Sequence, residues 1–227
     1  MCGLYSFRRS PEEVRGLFGY QELAMFPPRE HIGAGGPIAI VKMDGGRRIF
    51  ALVRWGFVPS WMKEIKPGKP LANARAESVL DKPSFRNAMK RRRCLLPADG
   101  FFQWKGGPPG KKEPFNIHRP GDELFAIAGL WETWMGADGS EIDTALIITT
   151  PANRALAAIH NRMPAVIMPE DFDLWLDCGR FGAKEAARLL VPAKDDYFVA
   201  EPVSLARPEK QPPLQERYED PTQLKLL

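Results

Sequence analysis

The chain has 227 residues, 44% of them hydrophobic and 26% charged, with a formal net charge of +4. That is long enough for one large domain or two small ones, and the composition is that of an ordinary globular protein. No run of about 18 apolar residues predicts a transmembrane helix, and the opening residues lack the basic and apolar regions of a secretory signal.

The second residue is Cys2, followed by Gly3. Removal of the initiator methionine would leave a terminal 1,2-aminothiol, whose amine (pKa about 7.7–8.0) and thiol (about 8.5) both react near neutral pH. The amine condenses with an aldehyde, and the thiol then adds to the same carbon to close a thiazolidine ring. Pro37 to Met43 and Arg47 to Val53 read as strands joined by Asp44-Gly45-Gly46, a hairpin signal. The following stretch, Trp55 to Trp61, is aromatic and turn-rich, more like an irregular surface than a regular element. Ser84 to Arg93 has helical spacing and a basic last turn.

Short β-prone runs recur at Cys94–Leu96, Phe101–Trp104, Phe115–Ile117, Leu124–Leu130 and Ala145–Thr149, with Gly106–Lys112 as a flexible loop between strands. Thr150-Pro151 reads as an N-cap followed by proline at the first helical position. The helix it starts would run to about Ile159 and set His160 at its C-terminus. A strand over Arg162–Met168, helices over Glu170–Leu176 and Ala183–Leu190, and a last strand over Tyr197–Val203 complete the pattern. From Arg207 the chain is rich in proline and charge. The expected architecture is α+β: a single strand-rich domain over residues 1–206, with mixed or antiparallel sheets and peripheral helices, and a tail over 207–227.

Three cysteines (Cys2, Cys94, Cys178) and three histidines (His31, His118, His160) are scattered, which favours neither a disulfide framework nor a metal site. The expectation is a reduced, cytoplasmic, monomeric protein without metal, cofactor or membrane association. Charge is uneven. Between Lys82 and Arg119 ten basic residues face two acids, Asp99 and Glu113, so this stretch carries +8 and the remainder −4. Concentrated positive charge suits a polyanion, nucleic acid above all.

Four distant segments carry the polar chemistry: Met1-Cys2-Gly3, Asn73-Ala74-Arg75-Ala76-Glu77, Ala98-Asp99-Gly100-Phe101-Phe102-Gln103-Trp104 and Ile159-His160-Asn161-Arg162-Met163-Pro164. In this order they resemble the SOS-response-associated peptidase family, which forms covalent crosslinks to abasic sites in single-stranded DNA, and the likeness runs through roughly residues 1 to 205. The resemblance implies a self-modifying, lyase-like protein whose partner is single-stranded DNA with abasic sites. Cys2 would bond the ring-opened sugar, Asn73 would hold the terminal amine or the sugar, and His160 would move a proton. Arg75, Arg162 and Lys105 would meet the strand, Arg75 at a phosphate, where a guanidinium bonds two oxygens at once. Trp104 and the Trp55–Trp61 segment, Trp61 in particular, would offer faces to splayed bases. At a helix C-terminus His160 would favour its protonated form, and so serve as a general acid toward the sugar ring oxygen.

Two departures stand out. Gln103 takes the place of a glutamate in the family pattern, keeping hydrogen-bonding capacity but losing the ability to exchange a proton. Glu113 and Glu132 are downstream alternatives for that carboxylate, but nothing in the sequence brings either to Cys2. Leu4 replaces a common arginine, and Glu30–Gly36 forms an unusual glycine-rich stretch that lacks the Lys-Ser/Thr ending of a P-loop. Two other function classes fit the same residues: a thiol (auto)peptidase built on Cys2, His160 and Asn73, and a non-catalytic single-stranded DNA-binding module in which Gln103 leaves the covalent step idle.

Overall fold

The hairpin read at Asp44-Gly45-Gly46 is present, with Gly45 at φ +54° and Gly46 at +77°, both in the left-handed region that a tight two-strand turn needs. It joins β3 (Pro37–Asp44) to β4 (Arg47–Trp55), preceded by β1 (Leu4–Phe7) and β2 (Arg29–Gly33). The computed structural model describes residues 2–24, 26–65, 68–107 and 112–205. Met1, the expected tail over 207–227 and the centre of the expected Gly106–Lys112 loop lie outside the described residues. The later strands are β5 (Asn73–Arg75), β6 (Arg93–Ala98), β7 (Gly100–Lys105), β8 (Glu113–His118), β9 (Phe125–Met135), β10 (Glu141–Pro151), β11 (Arg162–Pro164), β12 (Val166–Ile167) and β13 (Val199–Pro202).

One sheet runs β13-β8-β7-β1-β2 and is antiparallel throughout. In the other, β10, β4, β3, β6 and β9 pair in succession and β9 returns to β10, so the strands close into a barrel. The only parallel pairings among the described strands are β10 with β4 and with β5, which makes this sheet mixed. The sheets meet through aromatic edges: Tyr5 lies 5.4 Å from Trp55, and Phe198 stands between Phe101 and Phe125 at 5.3 and 5.1 Å. The fold is thus α+β and mostly sheet, as the strand pattern anticipates.

Barrel closure depends on Gly129, which pairs with both Cys94 and Ile147. A Cβ there would lie 2.3 Å from Leu96 Cδ1 and 2.8 Å from the Leu146 carbonyl oxygen, and that carbonyl is fixed in the sheet. Gly129→Ala is expected to destabilise the fold by about 3 kcal/mol, lowering Tm by roughly 6–12 °C, which thermal denaturation followed by circular dichroism checks.

Helix α1 (Pro11–Phe18) begins at a capping box, Ser10 with Glu13, and ends on Gly19 in the left-handed conformation. Both signals are local and visible in the sequence as Ser10-Pro11-Glu12-Glu13 and Gly19. Helix α2 (Pro83–Arg91) ends before the expected Arg93, which instead opens β6. Arg93 is 1% exposed, and its guanidinium donates to the carbonyls of Met89 (3.0 Å), Phe181 (2.8 Å) and Trp175. It is therefore a buried strap between α2, β6 and α3 (Phe172–Leu176), not part of a polyanion-binding face. The last expected helix shortens to α4 (Ala183–Ala186) with one further turn over Ala187–Leu189.

The expected helix from Thr150 to Ile159 does not form. Thr150 and Pro151 extend β10 and pair with Met163 and Arg162 of β11, so sheet pairing outcompetes the local cap signal. Turns follow, with Asn153 Oδ1 accepting from the Leu156 amide at 3.0 Å. The expected strand over Arg162–Met168 divides at Ala165, whose N–H donates to Ile148 and whose carbonyl accepts from Ala128. The glycine-rich stretch is tied to its neighbours: Ala34 N donates to Gly3 O at 3.3 Å and Gly35 N to Trp55 O at 2.7 Å.

Candidate functional site

Cys2 precedes β1, and Asp99 fixes that strand. The Asp99 carboxylate is fully buried, accepting from Ser6 Oγ at 2.6 Å, Arg8 Nε at 3.0 Å and the Arg8 backbone N–H. The Cys2 side chain is fully buried, and its thiol donates weakly to the Leu4 carbonyl at 3.8 Å. Burial pushes that thiol up to about 12, with the Leu4 contact opposing weakly. Asn73, at the start of β5, donates from Nδ2 to the Cys2 carbonyl at 2.8 Å, while its Oδ1 is buried and has no hydrogen-bond partner among the described residues. The register of β5 is set by β10, which pairs Ile147 with Asn73 and Thr149 with Arg75.

Arg162 joins the remaining polar groups. Its carbonyl accepts from Gln103 Nε2 at 3.3 Å, and its N–H donates to His160 Nδ1 at 2.9 Å. Its guanidinium forks onto both carboxylate oxygens of Glu77, reaching Oε2 at 3.0 Å, and donates to Thr149 as well. The Glu77 carboxyl is held below its ordinary range, first by that hydrogen bond. Gln103 is only 2% exposed. Its carboxamide donates to the Arg162 carbonyl, something a carboxylate cannot do.

His160 has a pKa below the ordinary histidine value, first because burial disfavours its charge and then because positive groups including Arg162 surround it. With the helix absent, no dipole C-terminus raises it. Nδ1 accepts the Arg162 N–H, so the neutral ring carries its proton on Nε2. His160 is therefore not the standing imidazolium that a helix C-terminus would have produced.

The aromatic expectations divide. Trp55 is fully buried, its Nε1 donating to the Ala72 carbonyl at 2.9 Å, so it supports the residue before Asn73 and offers no face to a base. Trp61 is 64% exposed, and Trp104 is half-buried on β7. Arg75 and Lys105 are exposed and make no ion pair among the described residues, whereas Arg162 is engaged as described. Glu113 sits at the exposed start of β8, and Glu132 is buried against Arg92 at 3.1 Å, so neither accompanies Gln103. Tyr5, whose buried hydroxyl has no hydrogen-bond partner among the described residues, and Glu77 with Thr149 enter the site without any role assigned from the sequence. Glu77 and Arg162 stand 85 residues apart, and only the folded chain makes them a pair. Among the described residues there is no group of three His, Cys, Asp or Glu able to hold a metal ion, and no helix long and apolar enough to cross a membrane.

Fold and site together define a strand-rich α+β domain with a cysteine site at its N-terminus, braced by Asn73 and an Arg162-centred polar network. The chain belongs to the SOS response associated peptidase (SRAP) family, whose description matches residues 1–206. It is 33% identical over 207 residues to the abasic site processing protein YoqW of Bacillus subtilis, covering 90% of this chain and 92% of that protein. To the abasic site processing protein HMCES of Gallus gallus it is 34% identical over 178 residues, 68% of this chain and 53% of that longer protein. A crystal structure of a protein from Bacteroides thetaiotaomicron superposes with a TM-score of 0.78 at 25% identity, covering 89% of this chain and 92% of that one. One from Bordetella bronchiseptica gives 0.75 at 25% identity, covering 90% and 100%.

Proposed function

We propose that the protein captures abasic sites in single-stranded DNA as a thiazolidine on Cys2 after Met1 is removed, with residues 1–206 as the capturing domain. The Cys2 α-amine attacks the aldehyde carbon of the ring-opened deoxyribose, and loss of water gives a Schiff base. The thiol then adds to the imine carbon, its proton passing to the nitrogen, and the five-membered ring closes. The observation that carries this reading is the Asn73 amide: Nδ2 grips the Cys2 carbonyl, while the buried Oδ1, without a hydrogen-bond partner among the described residues, is an acceptor for the amine that processing frees. The names of relatives that process abasic sites support the same chemistry.

The thiol argues against a peptidase. A thiol protease attacks as a thiolate paired with imidazolium, which needs a depressed cysteine pKa. Here the thiol is raised and the histidine lowered, so the neutral pair is favoured and the amine is the better first nucleophile. Neutral His160 then serves as a proton relay at the opening sugar rather than as a fixed cation. Arg75, Lys105, Trp61 and Trp104 contact the strand, and Arg162 positions Gln103 and His160.

The test incubates protein of verified intact mass with single-stranded DNA bearing one abasic site, beside an undamaged strand. A denaturation-stable adduct on the abasic strand alone supports capture. Strand binding without an adduct supports the binding-module reading instead. Gln103→Glu is the companion variant. In so buried a position a new carboxyl would have a raised pKa and could exchange a proton near neutral pH. The expected change is about 10²-fold in the rate of adduct formation or reversal, the scale of one general acid–base group. Equal rates in both proteins would mean that the position needs no carboxylate.

A further inference from the structure

Helix α2 buries Phe85, Ala88 and Met89 and turns Lys82, Arg86, Lys90 and Arg91 to solvent. None of these four cations is ion-paired among the described residues, although Arg92 beside them pairs with Glu132 and Arg119 pairs with Glu123. No acidic residue occurs between Lys82 and Ala98. Arg86 and Lys90 stand four residues apart, about 6 Å along the helix axis, and Lys82, the N-cap residue four before Arg86, extends the basic run at the start of the helix. Like charges at this spacing repel and weaken the helix. No ion pair among the described residues offsets that local cost, which is the pattern of a face completed by an external polyanion.

The basic run is connected to the capture site. A cleft of about 270 Å³ is lined by Arg54, Trp61, Lys69, Leu71 and, from the first turn of α2, Ser84. Arg54 and Lys69 are exposed and make no ion pair among the described residues, and Trp61 stands open at the rim. Leu71 accepts from the Phe57 amide at 3.0 Å and leads through Ala72 into Asn73, which grips Cys2. Phe57 in turn meets Phe85 of α2 at 6.1 Å, so cleft and helix are packed on one another.

We propose that the exposed face of α2 is a second anchorage for the DNA strand: one flank of the captured nucleotide passes Trp61 through the cleft, and its phosphates continue onto Lys82, Arg86 and Lys90. The proposal rests on the capture reading for the position of the reactive end. The contacts are to phosphate, so they would raise affinity for long strands without selecting sequence and without entering the covalent step.

The test separates binding from capture. Equilibrium affinity is measured across a salt series on a strand of about 16 nucleotides carrying a tetrahydrofuran abasic analogue, which has no aldehyde. Capture is measured separately on a trinucleotide with a true abasic site at its centre, which leaves few phosphates to continue past the site. The Lys82→Gln/Arg86→Gln/Lys90→Gln protein is expected to bind the long strand at least tenfold more weakly at low salt. Its slope of log affinity against log salt should be shallower by about 2, three lost contacts at about 0.7 each for single strands. Its capture of the trinucleotide should match wild type. Arg86→Glu guards against misfolding: it places an acid four residues before Lys90 and four after Lys82, so its Tm should be no lower than wild type while its strand affinity falls. Wild-type affinity and slope in the triple variant would overturn the proposal. A wild-type protein that binds the analogue strand through α2 yet forms no adduct with either abasic DNA would sink the capture reading and leave the anchorage standing.

Discussion

Cys2→Ala protein, incubated with single-stranded DNA bearing one abasic site, is expected to yield no denaturation-stable adduct while retaining the wild-type affinity for an uncleavable analogue. The ring cannot close without Sγ, and the Schiff base left behind is hydrolysed on denaturation. Alanine removes only a thiol that donates one weak hydrogen bond at 3.8 Å, and the Asn73 contact is to the backbone carbonyl, so the fold has little reason to change. The pH dependence follows from the same geometry. The α-amine reacts when deprotonated, so the capture rate should rise from pH 6 through 8 and level off only about one unit above an amine pKa of about 7.7–8.0. Any inflection from His160 should fall below the ordinary histidine value, on the acid side of the amine's rise. Its pKa is depressed, so it is neutral above its ordinary value and gains a proton only at lower pH. A capture rate that falls between pH 6 and 8, tracking loss of an imidazolium, would reinstate the general acid that a helix terminus would have supplied.

Arg162→Met is expected to slow capture by about 10²-fold, the scale expected when a catalytic constellation shifts by about an ångström. It should leave the affinity for the analogue strand and its salt slope unchanged. The guanidinium is already shared between Glu77 and Thr149, and the side chain is 11% exposed. What it sets is the course of the chain through Arg162, whose carbonyl and N–H hold Gln103 and His160. A phosphate ligand would behave in the opposite way, losing affinity and about 0.7 of slope for one contact on a single strand. Glu77→Gln should reproduce part of the loss, because the amide keeps one acceptor for the fork but gives up the charge. An Arg162→Met protein with wild-type capture kinetics and weakened, less salt-sensitive binding would return the residue to the strand-contacting set.

Several elements were legible because their signals are local. The β3–β4 hairpin needed only Asp44-Gly45-Gly46 between alternating strands, and α2 needed only the spacing of Phe85, Ala88 and Met89. The failures occur where a distant partner outbids a local preference. Thr150-Pro151 carries the chemistry of a helix start, yet Met163 and Arg162 offer it a strand to pair with. Arg93 looks like the end of a solvated basic run until the carbonyls of Met89, Trp175 and Phe181 surround it. Trp55 and Trp61 look alike in sequence; one closes the core against Tyr5, and the other is open to solvent.

Residue types and their order determined the reactive inventory by themselves: a cysteine next to the initiator methionine, an asparagine, a glutamine where a carboxylate is the pattern, a histidine, and a run of cations without acids. Such properties are covalent, so they survive without a fold. Tertiary structure decided the protonation states and the alliances. Burial raised the Cys2 thiol and lowered His160, and strand pairing between β5, β10 and β11 brought Asn73, Arg75, Thr149 and Arg162 into register. It also bound Arg162 to Glu77 across 85 residues while giving the α2 cations no ion-pair partner among the described residues. A pKa or an ion pair depends on distance and local dielectric, and neither is defined until the chain has closed its barrel.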